Sequence, residues 1–224
     1  MTPPEPTETI DPARRTPART AVWIVLGAMA LVIVLLRMVV GGARGLAPLP
    51  VMGAVPEFTL VDQTASAFGT ADLRGRPWIA SFVYSTCPGP CPLTVKRLGE
   101  LKRRLSDDPR IMIVSITVDP QGDTPDVLSV YGRTHAIDPQ RWRLLTGEYE
   151  QVVALIRNGF FLPIAPSDEV DPELVATQGR VTHSTKLVLV DADLRIRGYY
   201  DSDDADDLKL LAAHALRLLE QSSP

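Results

Sequence analysis

The stretch Pro77-Trp-Ile-Ala-Ser-Phe-Val-Tyr-Ser-Thr-Cys-Pro-Gly-Pro-Cys-Pro92 decides the fold. Its first eight residues are almost all apolar, which predicts a short β-strand that is buried on both faces at the centre of a sheet. From Pro92 to about Leu105 the leucines recur near one stripe, so we expect a helix directly after the strand. Two cysteines, Cys87 and Cys91, therefore stand at the junction between a buried strand and a helix.

Strand and helix patterns alternate on both sides of this junction. We predict further strands at 111–118, 142–145, 185–190 and 195–200, the last two as a hairpin, and helices at 125–134, 148–157 and 208–219. A short hairpin, 58–61 with 67–68, turns through Asp62-Gln63 before the central strand, and 159–182 is expected to be irregular. This order predicts a mixed α/β fold, and a thioredoxin-like fold with an N-terminal β-hairpin fits it well.

The segment before the folded domain has three parts. Residues 1–20 are rich in proline and polar residues and predict a disordered tail. Residues 21–40 contain Arg37 as their only charge and would be about 30 Å long as a helix, which matches the apolar core of a bilayer. Residues 41–54 are rich in glycine and proline and predict a linker to a domain at 55–224.

The charges that flank this apolar run indicate its orientation. Arg14, Arg15 and Arg19 precede the uncharged stretch 21–36, and Arg37 and Arg44 follow it, which favours a cytoplasmic N-terminus and an exported domain. A buried core helix and a cleaved signal peptide are the alternatives, but no clear cleavage site follows the run. We therefore expect a single-pass anchor in a bacterial inner membrane, with the domain on the periplasmic side.

Composition and charge exclude several classes of protein. The chain has 224 residues and a net charge of −4, which divides into +2 for the first 46 residues and −6 for the remainder. An acidic domain is a poor candidate for binding nucleic acid, because such binding needs clustered lysine and arginine. With two cysteines in all, the chain cannot form a disulfide-stapled scaffold or a four-cysteine metal site.

The cysteine pair is the strongest chemical signal in the sequence. A helix N-terminus lowers the pKa of a thiol and favours the thiolate, which binds soft metals and attacks disulfides. Three intervening residues, two of them proline, favour a stiff loop that holds two sulfurs around a metal, whereas redox pairs more commonly have two. A structural disulfide and a buried thiol pair are the alternatives.

A histidine would be the natural third ligand for copper. His214 is expected at the rim of the last helix and His135 at the C-terminus of helix 125–134, where it would complement the helix dipole. His183 stands between the irregular segment and a strand, where its side chain can reach a site. Asp119 ends a strand beside the expected site and could orient the cysteine loop or help to dock a partner, whereas Asp123 is more simply a helix cap or turn residue.

Three segments together resemble the Sco/SenC family of copper chaperones. They are Cys87-Pro-Gly-Pro-Cys-Pro92, Thr117-Val-Asp-Pro-Gln-Gly-Asp-Thr-Pro125 and His183-Ser-Thr185. The resemblance extends from about Val55 to the last helix. The sequence departs from the family pattern at Gly122, where members often carry a charged or larger residue.

This resemblance implies a function as well as a fold. It implies that Cys87, Cys91 and His183 bind copper, as Cu(I) and also as Cu(II) with the histidine. It implies that the protein helps to assemble the binuclear copper centre on subunit II of cytochrome c oxidase, or serves another recipient of copper or thiols. Some bacterial relatives act mainly as thiol–disulfide reductases, with the two cysteines as a redox-active pair that forms a disulfide bond.

Two other functions remain open. A thiol–disulfide oxidoreductase or peroxiredoxin-like enzyme would use the same fold, but the cysteine spacing differs from Cys-x-x-Cys and the peroxidase pattern is absent around Cys87. A redox or copper sensor that binds a partner without transferring anything fits the sequence too. A metallochaperone with some reductase activity is the favoured interpretation.

Overall fold

The computed structural model describes residues 17–44, 48–87, 91–105, 108–165, 182–183 and 185–221. The chain divides into two compact units, one ending at Pro48 and the other beginning at Leu49. In the first unit, helix α1 (Pro17–Arg44) contains the segment 21–40 that was predicted to be an anchor. Within the described residues, no helix combines the length and the apolarity that crossing a membrane requires. Residues 1–16 and 45–47, from the predicted tail and linker, lie outside the described residues.

The second unit is built on an eight-stranded mixed sheet. In chain order the strands are β1 (Gly53–Ala54), β2 (Thr59–Asp62), β3 (Ala67–Gly69), β4 (Trp78–Val83), β5 (Met112–Thr117), β6 (Trp142–Thr146), the separately paired β7 (Ile164–Ala165) and β8 (Thr182–His183), β9 (Lys186–Val190) and β10 (Arg195–Asp201). Across the large sheet they lie in the order β1-β10-β9-β4-β5-β6-β2-β3. Strands β4, β5 and β6 are parallel, and every other pairing is antiparallel.

Five helices accompany the sheet in the described part of this unit. They are α2 (Thr70–Leu73), α3 (Cys91–Arg104), α4 (Pro125–Thr134), α5 (Tyr149–Ala154) and α6 (Ala205–Gln221). Helix α5 continues into a π-helical turn, Leu155–Gly159. Helix α6 packs on β10 and α3, and α4 packs on β6.

The central strands form a core without exposed positions. All residues of β4 and β5 are buried, as the sequence predicts for a strand covered on both faces. The rings of Trp78 and Phe82 meet Phe160 edge to face, at centroid distances of 6.0 and 5.1 Å. The predicted mixed α/β fold, with a hairpin of β2 and β3 before the central strand, is therefore confirmed.

The structure differs from the sequence-based expectation at three segments. The predicted linker 41–54 overlaps both units. In the first unit, α1 extends to Arg44. In the second, the Arg197 guanidinium donates a hydrogen bond to the carbonyl oxygen of Leu49 at 2.5 Å. The predicted irregular segment 159–182 contains β7, and its last residue, Thr182, begins β8. The last helix begins at Ala205, three residues before the predicted start.

Candidate metal centre

The two cysteines lie where the central strand ends and the next helix begins. Cys87 follows β4, and its backbone N–H donates a hydrogen bond to the carbonyl oxygen of Tyr84 at 3.3 Å. Cys91 is the first residue of α3. Neither cysteine forms a disulfide, and both are buried, with exposed fractions of 8% and 1%. Residues 88–90, between them, lie outside the described part of the chain.

The two thiols share a hydrogen bond, and this contact controls the pKa of Cys91. That hydrogen bond to Cys87, followed by burial, raises the pKa of the Cys91 thiol well above its ordinary value. The expectation that the helix N-terminus lowers the pKa is therefore wrong for Cys91. Desolvation and the thiol–thiol contact outweigh the helix dipole at a side chain that is almost fully buried.

Tyr84 adds a second polar contact to the pair. The side chains of Tyr84 and Cys87 share a hydrogen bond, and burial followed by this contact raises the pKa of Tyr84. The hydroxyl is consequently protonated at neutral pH. Cys87 thus shares side-chain hydrogen bonds with both Tyr84 and Cys91.

Asp123 ties the cysteine junction to the neighbouring parallel strand. Its carboxylate accepts hydrogen bonds from the backbone N–H of Ser85 at 3.1 Å, from the Ser85 hydroxyl, and from the Thr117 hydroxyl at 2.5 Å. The residue is 1% exposed, and burial raises its pKa in spite of these hydrogen bonds. Because Thr117 ends β5 and Ser85 follows β4, this one carboxylate fixes the distance between the two strand ends.

This arrangement changes the roles predicted for the two aspartates. Asp123 is not the helix cap, since Thr124 accepts the hydrogen bond from the backbone N–H of Val127 at 3.4 Å and caps α4. The orienting role suggested for Asp119 belongs to Asp123. The Asp119 carboxylate instead accepts a hydrogen bond from the backbone N–H of Gly122 at 3.2 Å. A Cβ atom at Gly122 would lie 2.6 Å from this carboxylate, so a larger residue there would displace it.

The predicted third ligand is described only through its backbone. His183 pairs with Ile164 in the small sheet formed by β7 and β8. The side chain of His183, and the whole of Ser184, lie outside the described residues. Among the side chains that the structure describes, no three His, Cys, Asp or Glu residues cluster in a way that could hold a metal ion.

The other two histidines have structural contacts. His214 Nδ1 and the Tyr200 hydroxyl are hydrogen-bonded at 2.7 Å, and burial lowers the pKa of His214. His135 ends α4, and its ring lies 4.4 Å from the ring of Tyr131, centroid to centroid. These contacts agree with the rim and helix-end positions expected from the sequence.

A family model decides the relationship of this chain to known proteins. The SCO1/SenC model matches residues 51–219, which is most of the chain. The chain belongs to the SCO1/SenC family. A protein from Stutzerimonas stutzeri that is named as copper-binding is 34% identical over 153 residues, which cover 67% of this chain and 71% of the relative.

Solved Sco structures share the fold of the second unit. A SCO1/SenC family lipoprotein from Bacillus anthracis superposes with a TM-score of 0.68 at 24% identity, covering 77% of this chain and 99% of that protein. BsSco, described as a member of the Sco family of cytochrome c oxidase assembly proteins, superposes with a TM-score of 0.63 at 20% identity, covering 76% and 96%. These similarities confirm the predicted thioredoxin-like fold.

Sequence reasoning missed two residues of this Sco cysteine junction. Tyr84 was assigned only to the end of a strand, although its position three residues before Cys87 places its side chain near the thiols. Thr117 was part of a recognised segment, but nothing in the sequence showed that its hydroxyl binds Asp123. Contacts between residues from two different strand ends depend on the register of the sheet, which a single sequence does not state.

Proposed function

We propose that this Sco protein is a copper chaperone that binds its cargo through Cys87, Cys91 and His183. The observation that carries the proposal is the buried, hydrogen-bonded pair of thiols at the end of the central strand, in a chain with a relative that is named as copper-binding. Two adjacent thiolates suit Cu(I), a soft ion, and an added imidazole would also accommodate Cu(II). The recipient is subunit II of cytochrome c oxidase, consistent with the assembly function stated for the Sco family.

Copper transfer is the experiment that tests this function. The Cu(I)-loaded protein is mixed anaerobically with the reduced, metal-free copper domain of subunit II, the two proteins are separated, and the copper on each is counted. The absorbance of the binuclear centre is then recorded after addition of a one-electron oxidant. We expect copper to move to the subunit II domain and the centre to form. Copper that stays on this protein while the centre remains absent would contradict the chaperone function.

Thiol–disulfide exchange is the second candidate, and the contact between the two thiols favours it. A hydrogen-bonded pair can be oxidised to a disulfide with little movement, so the reduced protein could pass two electrons to a disulfide on subunit II. Cys91 retains its proton more firmly than an ordinary thiol, so Cys87 is expected to attack first. An experiment with subunit II whose cysteines are oxidised distinguishes the two functions, because only thiol–disulfide exchange would reduce those cysteines.

The pKa of Cys91 predicts how Cu(I) affinity depends on pH. At neutral pH this thiol is protonated, because its pKa is raised, and Cu(I) must displace the proton to bind the thiolate. The affinity should therefore rise about tenfold per pH unit for this proton alone, between pH 6 and 9. Competition with a chelator of known pH dependence measures the Cu(I) affinity. An affinity that does not change with pH would show that Cu(I) binding displaces no proton from Cys91.

Replacing His183 with alanine should separate the two oxidation states of copper. We expect His183→Ala to weaken Cu(II) binding much more than Cu(I) binding, because Cu(II) prefers imidazole nitrogen and Cu(I) is satisfied by two thiolates. In the wild type, Cu(II) binding should also fall below the free histidine pKa of about 6.5. Titrations of His135→Ala and His214→Ala serve as controls. An unchanged Cu(II) spectrum in His183→Ala, with loss in one control, would transfer the assignment to that histidine.

We further propose that residues 21–40 anchor the protein in the bacterial inner membrane with the domain on the periplasmic side. The nearly uncharged run and the arginines around it support this, as does the lipoprotein from Bacillus anthracis with the same fold. A reporter active only after export, fused behind residue 46, should be active, while a cytoplasmic reporter at the same position should be silent. The opposite pattern would contradict the orientation.

A further inference from the structure

A groove of about 500 Å³ lies beside the cysteine junction, between the start of α3 and the outer face of α4. Its lining is mostly apolar and includes Tyr84, Pro92, Val127, Val130, Tyr131 and His135. Val127 and Val130 are 36% and 54% exposed, although both are large apolar residues on a helix of a folded domain. Exposed apolar side chains around a concave surface are typical of an interaction site.

The groove is directly connected to the candidate metal centre. Tyr84 lines the groove, and its hydroxyl is hydrogen-bonded to Cys87. Ser85 and Pro92, which flank the two cysteines in sequence, also line it. A protein that takes a metal ion from the thiols, or exchanges a disulfide with them, therefore meets this groove as it approaches.

A basic surface adjoins the groove on the side away from the cysteines. A second cavity, of about 490 Å³, shares Thr134 and His135 with the groove and is lined by Lys96, Lys102 and Arg103 of α3 together with Asp138. Three basic side chains against one acidic side chain give this lining a positive balance, whereas the chain from residue 47 onward has a net charge of −6. Concentrated positive charge on an otherwise acidic domain selects a partner with carboxylates at the matching position.

We propose that the groove and the adjoining basic cavity form the docking surface for the protein that receives the copper. The recipient inserts an apolar side chain between Val127 and Val130 and places carboxylates against Lys96, Lys102 and Arg103 of α3. This inference rests on the proposed function, since it names the recipient of the same cysteine pair.

Val130→Asp tests the apolar part of this surface. The probe is the reduced, metal-free copper domain of oxidase subunit II, and the measurement is the second-order rate of copper transfer from the full-length protein in detergent. We expect the rate to fall about 10- to 100-fold, because a carboxylate would replace an apolar contact at the centre of the interface. Leu210→Asp, a similar change at a 46% exposed position of α6, should leave the rate within about twofold.

Lys96→Glu tests the charged part against Lys209→Glu on α6. We expect Lys96→Glu to slow transfer several-fold at low salt and to reduce its dependence on ionic strength, whereas Lys209→Glu should change neither. The Cu(I) affinity of every variant, measured by chelator competition, should equal that of the wild type within about twofold. Equal transfer rates for the groove variants and their controls would overturn the docking surface.

The failure of this inference differs from the failure of the proposed function. If the wild-type protein transfers no copper, the proposed function is wrong, and so is the recipient named here. A wild-type protein that transfers copper at the same rate as Val130→Asp and Lys96→Glu leaves the function intact and overturns the docking surface alone. Concentration-dependent self-association that Val130→Asp abolishes would assign the groove to a second copy and would also overturn the inference.

Discussion

Replacing either Cys87 or Cys91 with serine is expected to abolish tight Cu(I) binding. One remaining thiolate cannot hold Cu(I) at useful affinity, so each single variant should lose about as much as the double variant. Removal of a residue that supports a metal ligand lowers metal affinity by a factor of about 10–100. Removal of a ligand itself should lower the Cu(I) affinity by a larger factor. Chelator competition under anaerobic conditions measures all three variants against the wild type.

Thr86→Ser serves as the matched control for these variants. It changes an exposed residue beside Cys87 and should leave Cu(I) affinity within about twofold of the wild-type value. Circular dichroism should show that every variant keeps its fold, because serine differs from cysteine only in having a smaller oxygen atom in place of sulfur. A single cysteine variant that retained most of the affinity would refute the paired-ligand site.

Asp123→Ala is expected to produce the largest loss of stability among substitutions near the site. The change leaves the Ser85 backbone N–H and the Ser85 and Thr117 hydroxyls without their common acceptor. Each buried unsatisfied group costs about 1–3 kcal/mol, and partial relaxation makes a total of about 2–4 kcal/mol reasonable. Because a loss of 1 kcal/mol lowers the Tm of a domain of this size by about 2–4 °C, thermal unfolding resolves it readily.

Asp119→Ala is the control for that prediction, and pH adds a second test. The Asp119 carboxylate is only partly buried and accepts one hydrogen bond within its own turn, so its removal should cost less than about 1 kcal/mol. Burial raises the pKa of Asp123, so its contribution to stability is complete below the unfolded-state pKa of about 3.9 and is lost as pH rises through the folded-state value. The difference between wild type and Asp123→Ala should therefore narrow from pH 4 to pH 7, and a difference that widens would contradict the assigned pKa direction.

The elements that the sequence predicted well are those with strong local signals. The apolar runs of β4 and β5 identify strands covered on both faces, and Thr124-Pro125 marks the start of α4. The pair β7 and β8 was missed because each strand has two residues, too few to show any periodicity. The hydrogen bond from Arg197 to Leu49 was not predicted, because it joins residues that are far apart in the sequence.

The candidate site was predictable in its chemistry but not in its electrostatics. Spacing alone placed two cysteines at a strand–helix junction, where the structure also has them. Spacing could not reveal that Cys91 is almost fully buried, which reverses the expected direction of its pKa. The aspartates show the same limit, because their roles depend on which carboxylate points between the ends of β4 and β5.

The measurement that most directly tests the account is an anaerobic titration of the reduced full-length protein with Cu(I) in the presence of a competing chelator. The account predicts that each chain removes one equivalent of Cu(I) from the chelator, and that prior oxidation of Cys87 and Cys91 to a disulfide prevents this. Copper that remains with the chelator, while the same reduced protein converts the oxidised cysteines of subunit II to thiols, would contradict the copper site and identify the protein as a thiol reductase.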